Sequence, residues 1–197
     1  MIRQTDIIGI VACGGNSTRM GTDKGLLPYF GIPQRYYLYQ LFAPFCQKTF
    51  ISCRMEQAQS LEKSYAYIKD EEQFAGHGPV SGLLSCFTAH PGTAILFSGC
   101  DYPYINRKEI ERLLSYRNKE FLATAFCNKL TGKPEPLFTI YEYASFEIIL
   151  KRFKENKFSL REFLESSTVH LIHSPENNLL KSIDTPEEYE KVMMNQC

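Results

Sequence analysis

The sequence predicts a three-layer α/β/α sandwich built around a mostly parallel β-sheet. Short apolar runs alternate along the chain with longer amphipathic runs, and this alternation is typical of a parallel or mixed sheet covered by helices. The 197 residues are enough for one substantial hydrophobic core. No repeat, low-complexity tract or long linker divides them. We therefore expect a single domain over residues 1–197.

The individual elements are predicted from these runs. We expect strands at residues 7–12, 48–53, 66–69, 94–99, 121–126, 136–141 and 168–172. We expect helices at residues 34–43, 79–89, 106–117, 142–155, 159–165 and 186–193. Asn106 can serve as the N-cap of the third helix, with Glu109 in the capping-box position. Thr185 can cap the last helix, which begins with Pro186.

Charge and cysteine usage narrow the possible partners. The 22 basic and 22 acidic residues cancel, so no bulk positive field attracts nucleic acid or an anionic membrane surface. The apolar run at residues 7–12 is too short to span a bilayer and leads into a glycine loop rather than a cleavage site. Seven scattered cysteines form no C-x-x-C pair or zinc-spaced cluster, which is typical of reduced thiols in a cytosol. We expect a cytoplasmic protein that acts on small molecules or proteins.

The first predicted strand leads directly into a loop rich in glycine and basic residues. Residues 12–24 read ACGGNSTRMGTDK. Glycines allow backbone N–H groups to surround an anion, while Arg19 and Lys24 supply positive charge to phosphate oxygens. The loop is neither a Walker A motif nor a dinucleotide-binding G-x-G-x-x-G motif. An ordinary glycine turn with two solvated basic residues is the alternative, but the preceding strand and the full set of residue types favour phosphate binding.

Two carboxylates follow later predicted strands. Asp70 comes at the end of the third strand, where one carboxylate can accept hydrogen bonds from both N1–H and N2–H₂ of guanine, a donor pair that cytosine lacks. The alternative is that Asp70 caps a turn. Asp101 is the first charge after a continuous apolar strand, where Mg²⁺ can bind it together with NTP phosphates. Because ligands gather at the carboxyl ends of strands, the loops after strands one, three and four should converge on one site.

The first loop resembles the L-A-G-G-x-S-x-R-M-G-x-D-K signature of the molybdenum cofactor guanylyltransferases, except that Ala12-Cys13 stands where Leu-Ala is usual. Later stretches resemble further motifs of that family in the same order. They are D-x-x-x-x-x-G-P-L-x-G at residues 70–82, D-x-P at 101–103, R-x-Q-P-L at 133–137, S-L-R-x-F-L at 159–164 and N-x-N-T-P-E-E at 182–188. The resemblance implies a Rossmann-like sheet of the nucleotide-diphospho-sugar transferase type.

The resemblance also implies an activity and a set of site residues. The reaction would transfer GMP from GTP to molybdopterin-bound molybdenum with Mg²⁺ as cofactor, giving the guanine dinucleotide cofactor and pyrophosphate. The implied catalytic residues are Arg19, Lys24 and Asp101. The implied nucleotide-binding residues are Ala12, Cys13, Gly14, Gly15, Lys24, Ser52, Asp70 and Asp101. Ser52 replaces an asparagine that is frequent in the family, so its contact is an open question.

Near the metal site that the resemblance implies, the sequence departs from the family pattern. Asp101 is the implied metal ligand, and Ser182 and Asp184 stand where the family has two asparagines. Asp184 either brings a second carboxylate towards the metal or only precedes the Thr185 cap.

Two other functions remain open at this point. The same fold can act with CTP on molybdopterin or with an NTP on a sugar phosphate, and base choice depends largely on Asp70. A nucleotide-binding regulator without turnover is the other alternative, against which the combination of Arg19, Lys24 and Asp101 argues. GTP and Mo-molybdopterin are the expected partners; proteins that deliver or accept the cofactor remain open, and neither nucleic acid nor a membrane is expected.

Overall fold

The computed structural model describes residues 6–14, 23–129, 131–173 and 179–194. The strands are β1 (Ile7–Ala12), β2 (Lys48–Cys53), β3 (Tyr67–Lys69), β4 (Ala94–Gly99), β5 (Ala123–Cys127), β6 (Pro134–Tyr141) and β7 (Val169–His173). The helices are α1 (Gln34–Phe42), α2 (Met55–Ala58), α3 (Pro79–Ala89), α4 (Arg107–Ser115), α5 (Phe146–Lys154), α6 (Leu160–Glu165) and α7 (Pro186–Met194). Short 3-10 turns cover Lys24–Leu26 and Tyr143–Ser145.

The strands of the described residues form one sheet in the order β3-β2-β1-β4-β6-β5-β7. β1 pairs in parallel with both β2 and β4, β2 with β3, and β5 with β7. β6 runs antiparallel to its neighbours β4 and β5. The carboxyl ends of the other strands and the beginning of β6 therefore lie along the same edge of the sheet.

Helices cover both faces of this sheet, as the sequence predicts for a three-layer sandwich. Buried side chains of α1 and α4 pack on one face; they include Leu38, Phe42, Ile110 and Leu113. Buried side chains of α3, α5 and α6 pack on the other face; they include Leu83, Phe87, Ile149 and Phe163. Val11 faces the first core and its neighbour Ile10 faces the second, because successive side chains of a strand point to opposite faces. Each such buried side chain contributes about 1.5–3 kcal/mol relative to exposure.

The expected strands and longer helices are all present, with small shifts at their ends. The helix expected at residues 142–155 is shorter, because Tyr143–Ser145 forms a 3-10 turn before α5 begins at Phe146. Sequence patterning did not predict α2, a four-residue helix, or the reversed direction of β6. Within the described residues, no helix combines the length and apolar character needed to cross a membrane.

Both predicted helix caps are confirmed. The Asn106 side chain accepts a hydrogen bond from the backbone N–H of Glu109 at the start of α4, over 3.2 Å. The Thr185 hydroxyl accepts one from the backbone N–H of Glu188 at the start of α7, over 3.3 Å. These caps fix where the chain turns after β4 and where α7 begins, and both turns lie close to Asp101 in sequence or in space.

Candidate functional site

A cleft opens at the edge of the sheet where β1 and β4 end. Residues that follow β1, β3 and β4 contribute to its wall, so the expected convergence of these three loops is confirmed. The lining residues are Ala12, Cys13, Gly14, Lys24, Ser52, Asp70, Gly78, Pro79, Gly82, Gly99, Cys100, Asp101 and Leu137. They include every predicted nucleotide-binding residue that lies within the described part of the chain. Gly15 and Arg19 lie outside the described residues.

Backbone hydrogen bonds extend the sheet one residue beyond β1 and β4. The N–H of Cys13 donates to the carbonyl of Ser52 over 2.8 Å, and the N–H of Cys100 donates to the carbonyl of Ala12 over 3.1 Å. The chain leaves this ladder at Gly14, where a Cβ would lie 3.7 Å from Oδ2 of Asp70. The start of the first loop is therefore held directly beside Asp70.

The short helix α2 holds the first loop at both of its described ends. Nε2 of Gln57 donates to the carbonyl of Cys13 over 3.0 Å and to Oδ2 of Asp23 over 2.8 Å. Asp23 in turn accepts a hydrogen bond from the N–H of Gly25 over 2.9 Å, which caps the 3-10 turn that carries Lys24. Sequence analysis missed Gln57, since nothing in the local pattern shows that a residue after β2 reaches back to the loop after β1.

The ammonium group of Lys24 lies between two carboxylates. Its Nζ donates to Oδ2 of Asp101 over 3.3 Å and also to Oδ1 of Asp184. The segment before α7 brings Asp184 here, because the N–H of Ile183 donates to the carbonyl of Asp101 over 2.9 Å. Asp184 therefore does more than precede the cap of α7. Its carboxylate and that of Asp101 both contact the Lys24 ammonium.

Burial and neighbouring charges shift the pKa values of Lys24 and Asp101 in opposite directions. The side chains of Lys24 and Asp101 are 15% and 19% exposed, and that of Asp184 is 46% exposed. Burial raises the pKa of Asp101, and the attraction of Lys24 only partly offsets this effect. Burial lowers the pKa of Lys24, but the hydrogen bond to Asp184 and the charge of Asp101 outweigh it, so that pKa is raised. Lys24 is thus a permanent cation at neutral pH.

The donor set of this cluster fits a hard divalent cation that arrives with a nucleotide. Among the described residues, no group of three or more His, Cys, Asp or Glu side chains is placed to hold a metal ion. Asp101 and Asp184 supply two carboxylates that converge on one point, now held by the Lys24 ammonium. Mg²⁺ commonly takes one or two carboxylates and completes its coordination with water and substrate phosphates.

Asp70 faces another part of the cleft, next to Ser52. Its Oδ1 accepts a hydrogen bond from the Ser52 hydroxyl over 3.4 Å. Burial raises the pKa of Asp70, while the Ser52 hydrogen bond and the positive charge of Arg54 lower it in part. Gly82 of α3 approaches so closely that a Cβ there would lie 2.1 Å from Oγ of Ser52. The carboxylate thus has a fixed position and still has acceptor capacity for two adjacent N–H donors.

Buried polar contacts also fix the chain after Asp101. The hydroxyl of Tyr102 donates to Oε1 of Glu135 over 2.9 Å, and the same oxygen accepts from the N–H of Leu137 over 3.0 Å. Nε2 of Gln34 donates to the carbonyl of Tyr102 over 3.2 Å. Burial raises the pKa of Glu135. In the sequence, the position of Glu135 between two prolines is a signal that could have singled it out. No sequence signal points to Gln34.

Comparisons with known proteins agree with this architecture. The family model described as the MobA-like NTP transferase domain matches residues 9–171. A molybdenum cofactor biosynthesis bifunctional protein of Synechocystis sp. is 32% identical over 194 residues, which are 97% of this chain and 55% of that protein. This chain therefore spans about half the length of that relative. A probable molybdenum cofactor guanylyltransferase of Carboxydothermus hydrogenoformans is 25% identical over 193 residues, 93% of each chain.

A solved structure shows the same fold. The molybdopterin-guanine dinucleotide biosynthesis protein A of Archaeoglobus fulgidus aligns with a TM-score of 0.76 at 20% identity, over 96% of this chain and 98% of that one. The matched family model covers most of the chain: it begins at Gly9 within β1, includes the described residues that line the cleft, and ends at Leu171 within β7. The chain therefore belongs to the MobA-like NTP transferase family.

Proposed function

We propose that this protein transfers GMP from GTP to the terminal phosphate of molybdopterin-bound molybdenum, with release of pyrophosphate. One observation carries the proposal: Asp70, a carboxylate suited to guanine, lines the same cleft as Lys24 and Asp101. Lys24 also contacts Asp184, and this cluster is suited to a metal-bound triphosphate. Relatives named molybdenum cofactor guanylyltransferase, which align over nearly their whole length, support the same activity.

In the proposed reaction, an oxygen of the acceptor phosphate attacks the α-phosphorus of GTP in line, and pyrophosphate leaves on the opposite side. A phosphate monoester has a second pKa of about 6, so the attacking oxygen is already anionic at neutral pH and needs no general base. The protein contributes orientation and charge. Gly14 offers its backbone N–H to the phosphates, and Lys24 stabilises the charge that accumulates on the departing pyrophosphate. Arg19, implied by the family motif, is proposed for the same role.

Asp101 and Asp184 are the proposed ligands of Mg²⁺. Bound there, the ion would neutralise and orient the phosphates of GTP. The two carboxylates hold Lys24 in the free protein. A cation bound by these carboxylates would free the Lys24 ammonium to contact phosphate oxygens. The same three side chains would then serve both the free and the nucleotide-bound protein.

Base selectivity is the sharpest test of the guanylyl assignment. We expect isothermal titration to show magnesium-enhanced binding of GTP and much weaker binding of CTP, UTP and ATP. The reason is the Asp70 carboxylate, which matches the paired N–H donors of guanine. A preference for CTP would move the assignment to a cytidylyl or sugar-phosphate transferase. Binding of GTP without pyrophosphate release in the presence of the acceptor would indicate a regulator that lacks turnover.

Asp101→Asn tests the metal role separately. The variant keeps the size of the side chain and its contact with Lys24 but loses the charge, so we expect turnover to be abolished. Glu111→Gln is the matched control, because Glu111 is a half-exposed carboxylate on α4 that pairs with Arg107 away from the cleft. Pyrophosphate release near the wild-type rate in Asp101→Asn would remove the proposed metal site.

The setting of the reaction is also part of the proposal. We place it in the cytosol, with Mo-molybdopterin as the acceptor and with delivery or acceptor proteins as further partners. The six described cysteines are buried thiols, which agrees with a reducing compartment.

A further inference from the structure

A buried carboxylate stands directly behind one wall of the cleft. Glu135 lies at the start of β6, and its side chain is only 10% exposed. Its Oε1 accepts hydrogen bonds from the N–H of Leu137 over 3.0 Å and from the hydroxyl of Tyr102 over 2.9 Å. Leu137 lines the cleft, and Tyr102 follows the proposed metal ligand Asp101. Both hydrogen bonds use the same carboxylate oxygen, which leaves Oε2 to face another group.

That group is the guanidinium of Arg161, in the first turn of α6. Its Nη2 lies 3.7 Å from Oε2 of Glu135, which is an ion-pair distance rather than a hydrogen bond. The Arg161 side chain is 49% exposed, and within the described part of the chain no second carboxylate pairs with it. A guanidinium carries five N–H donors. One buried carboxylate therefore holds Arg161 while most of its donors remain available to a ligand.

The order of the strands puts Arg161 on the far side of Asp101 from the proposed base site. β1, β2 and β3 lie on one side of β4, and β6 lies on the other. α6 covers the same face of the sheet as α3, whose Gly82 lines the cleft. A Cβ on Gly99 would lie 2.7 Å from Oδ1 of Asp101 and 3.2 Å from Cε2 of Tyr102. The Tyr102 ring therefore connects the proposed metal ligand with the buried carboxylate that holds Arg161.

We propose that Arg161, held by Glu135, binds the terminal phosphate of the acceptor and brings it to the reaction centre from the β6 side of the cleft. The donor nucleotide would occupy the cleft on the β1 side of Asp101, so the β6 side is left for the acceptor. Arginine matches a phosphate with two parallel N–H···O bonds, so it orients the group as well as attracting it. The identity of the acceptor rests on the proposed function, whereas recognition of a phosphate by Arg161 does not.

Glu135 acts in this proposal as a positioning residue. A long side chain loses rotamer freedom when it binds a ligand, and a partner that already holds it removes part of that cost. Glu135 can serve as this partner because the hydrogen bonds from Leu137 and Tyr102 fix its own carboxylate. Burial raises the pKa of Glu135, and these two hydrogen bonds and the charge of Arg161 offset the effect in part.

Separate measurements of acceptor and nucleotide affinity test the role of Arg161. Arg161→Gln should raise KM for Mo-molybdopterin by about tenfold or more, because hydrogen bonds between charged groups are the stronger class. The Kd of GTP with Mg²⁺ should stay the same. Arg161→Lys keeps the charge but lacks the planar pair of donors, so its KM should be intermediate. Arg107→Gln is the matched control, since Arg107 is 50% exposed and pairs with Glu111 on α4.

Glu135→Gln tests the positioning role. The variant keeps an oxygen that can accept from Tyr102 and Leu137 but loses the charge that faces Arg161. KM for the acceptor should rise less than in Arg161→Gln, and the Kd of GTP should not change. The double variant should be no worse than Arg161→Gln alone, because both substitutions remove the same interaction. Additive effects on the acceptor KM would overturn the positioning role of Glu135.

Inorganic phosphate provides a measurement that does not depend on transfer. The nucleotide site is first filled with Mg²⁺ and a GTP analogue that has a methylene bridge between its α- and β-phosphates. Phosphorus NMR should then show phosphate binding to the wild type and to Arg107→Gln, and about tenfold weaker binding to Arg161→Gln.

The outcomes separate this inference from the proposed function. An acceptor KM and a phosphate affinity that are both unchanged in Arg161→Gln would overturn the inference and leave guanylyl transfer standing. An equal loss of GTP affinity in that variant would also overturn it, because Arg161 would then act on the nucleotide or on the fold. Phosphate binding that depends on Arg161, in a protein that transfers nothing to Mo-molybdopterin, would count against the proposed function and support the phosphate site.

Discussion

Gly82→Ala tests the close contact that shapes the wall around Asp70. The new methyl group would lie 2.1 Å from Oγ of Ser52 and 3.1 Å from its Cβ. The hydroxyl must move by more than 1 Å to reach an ordinary contact of 3.4 Å, and its hydrogen bond to Asp70 is then lost. Either Ser52 changes rotamer within a buried site, or α3 moves away from β2.

The expected change in stability of Gly82→Ala follows from two opposing effects. Overpacking of a buried contact costs about 1–3 kcal/mol. Replacing glycine by alanine inside a helix gains about 1 kcal/mol. Because the overlap is severe, we expect an overpacking cost near the upper end of that range. The net decrease in the free energy of unfolding is then about 2 kcal/mol, which lowers Tm by about 4–8 °C in a chain of this size. We also expect weaker GTP binding, since the wall beside Asp70 shifts.

The assay is a double-mutant cycle with Ser52→Ala, read by thermal unfolding and by GTP titration. Ser52→Ala removes the hydroxyl that the methyl group meets, so the double variant should recover at least half of the stability that Gly82→Ala loses. The coupling between the two positions should be about 1–2 kcal/mol in favour of the double variant. A Gly82→Ala protein as stable as the wild type, with additive effects in the cycle, would refute the close contact between α3 and β2.

Three further predictions concern the cleft. Lys24→Ala should lower kcat/KM by about a hundredfold or more, as expected for one preorganised charge contact; an unchanged value would show that Lys24 has no role in the reaction. Gln57→Glu replaces the amide that donates to the Cys13 carbonyl and to Asp23 with a carboxylate. GTP titration should therefore show affinity lowered by about tenfold or more, and Gln57→Ala should give an intermediate affinity. Burial raises the pKa of Asp70 above 3.8, so the folded state holds its proton more tightly and this residue destabilises the fold increasingly as pH rises past that value. In urea unfolding, Asp70→Asn should therefore gain stability relative to wild type between pH 4 and pH 7, and a constant difference would contradict the raised pKa.

The sequence predicted most of the fold because most elements carry strong local patterns. β1 and β4 are continuous buried apolar runs, and the caps at Asn106 and Thr185 mark where two helices begin. The direction of β6 was not predictable, since strand direction depends on the partners that the chain meets after folding. α2 is too short to show a helical period.

Residues of the candidate site also differ in how well the sequence predicts them. Residues at the ends of strands, such as Asp70 and Asp101, could be found because chain order and strand polarity place them at one edge. Gln57 could not be found, since it acts through contacts far away in sequence. The two prolines beside Glu135 mark that residue but do not reveal its partner Tyr102. Asp184 stood between two interpretations until the hydrogen bond from Ile183 to Asp101 placed it beside Lys24.

The reversed direction of β6 has a consequence for how acceptor recognition can diversify. β5 ends, and β6 begins, at the edge of the sheet that carries the cleft, and Leu137 of β6 already contributes to the cleft wall. The hairpin between these strands therefore reaches the same edge as the loops of the proposed nucleotide site, yet it is a separate piece of chain. Loops tolerate changes in length and sequence better than the elements that they connect. We therefore expect that variation in this hairpin would change acceptor recognition without moving β1, β2 and β4, which carry the proposed nucleotide site.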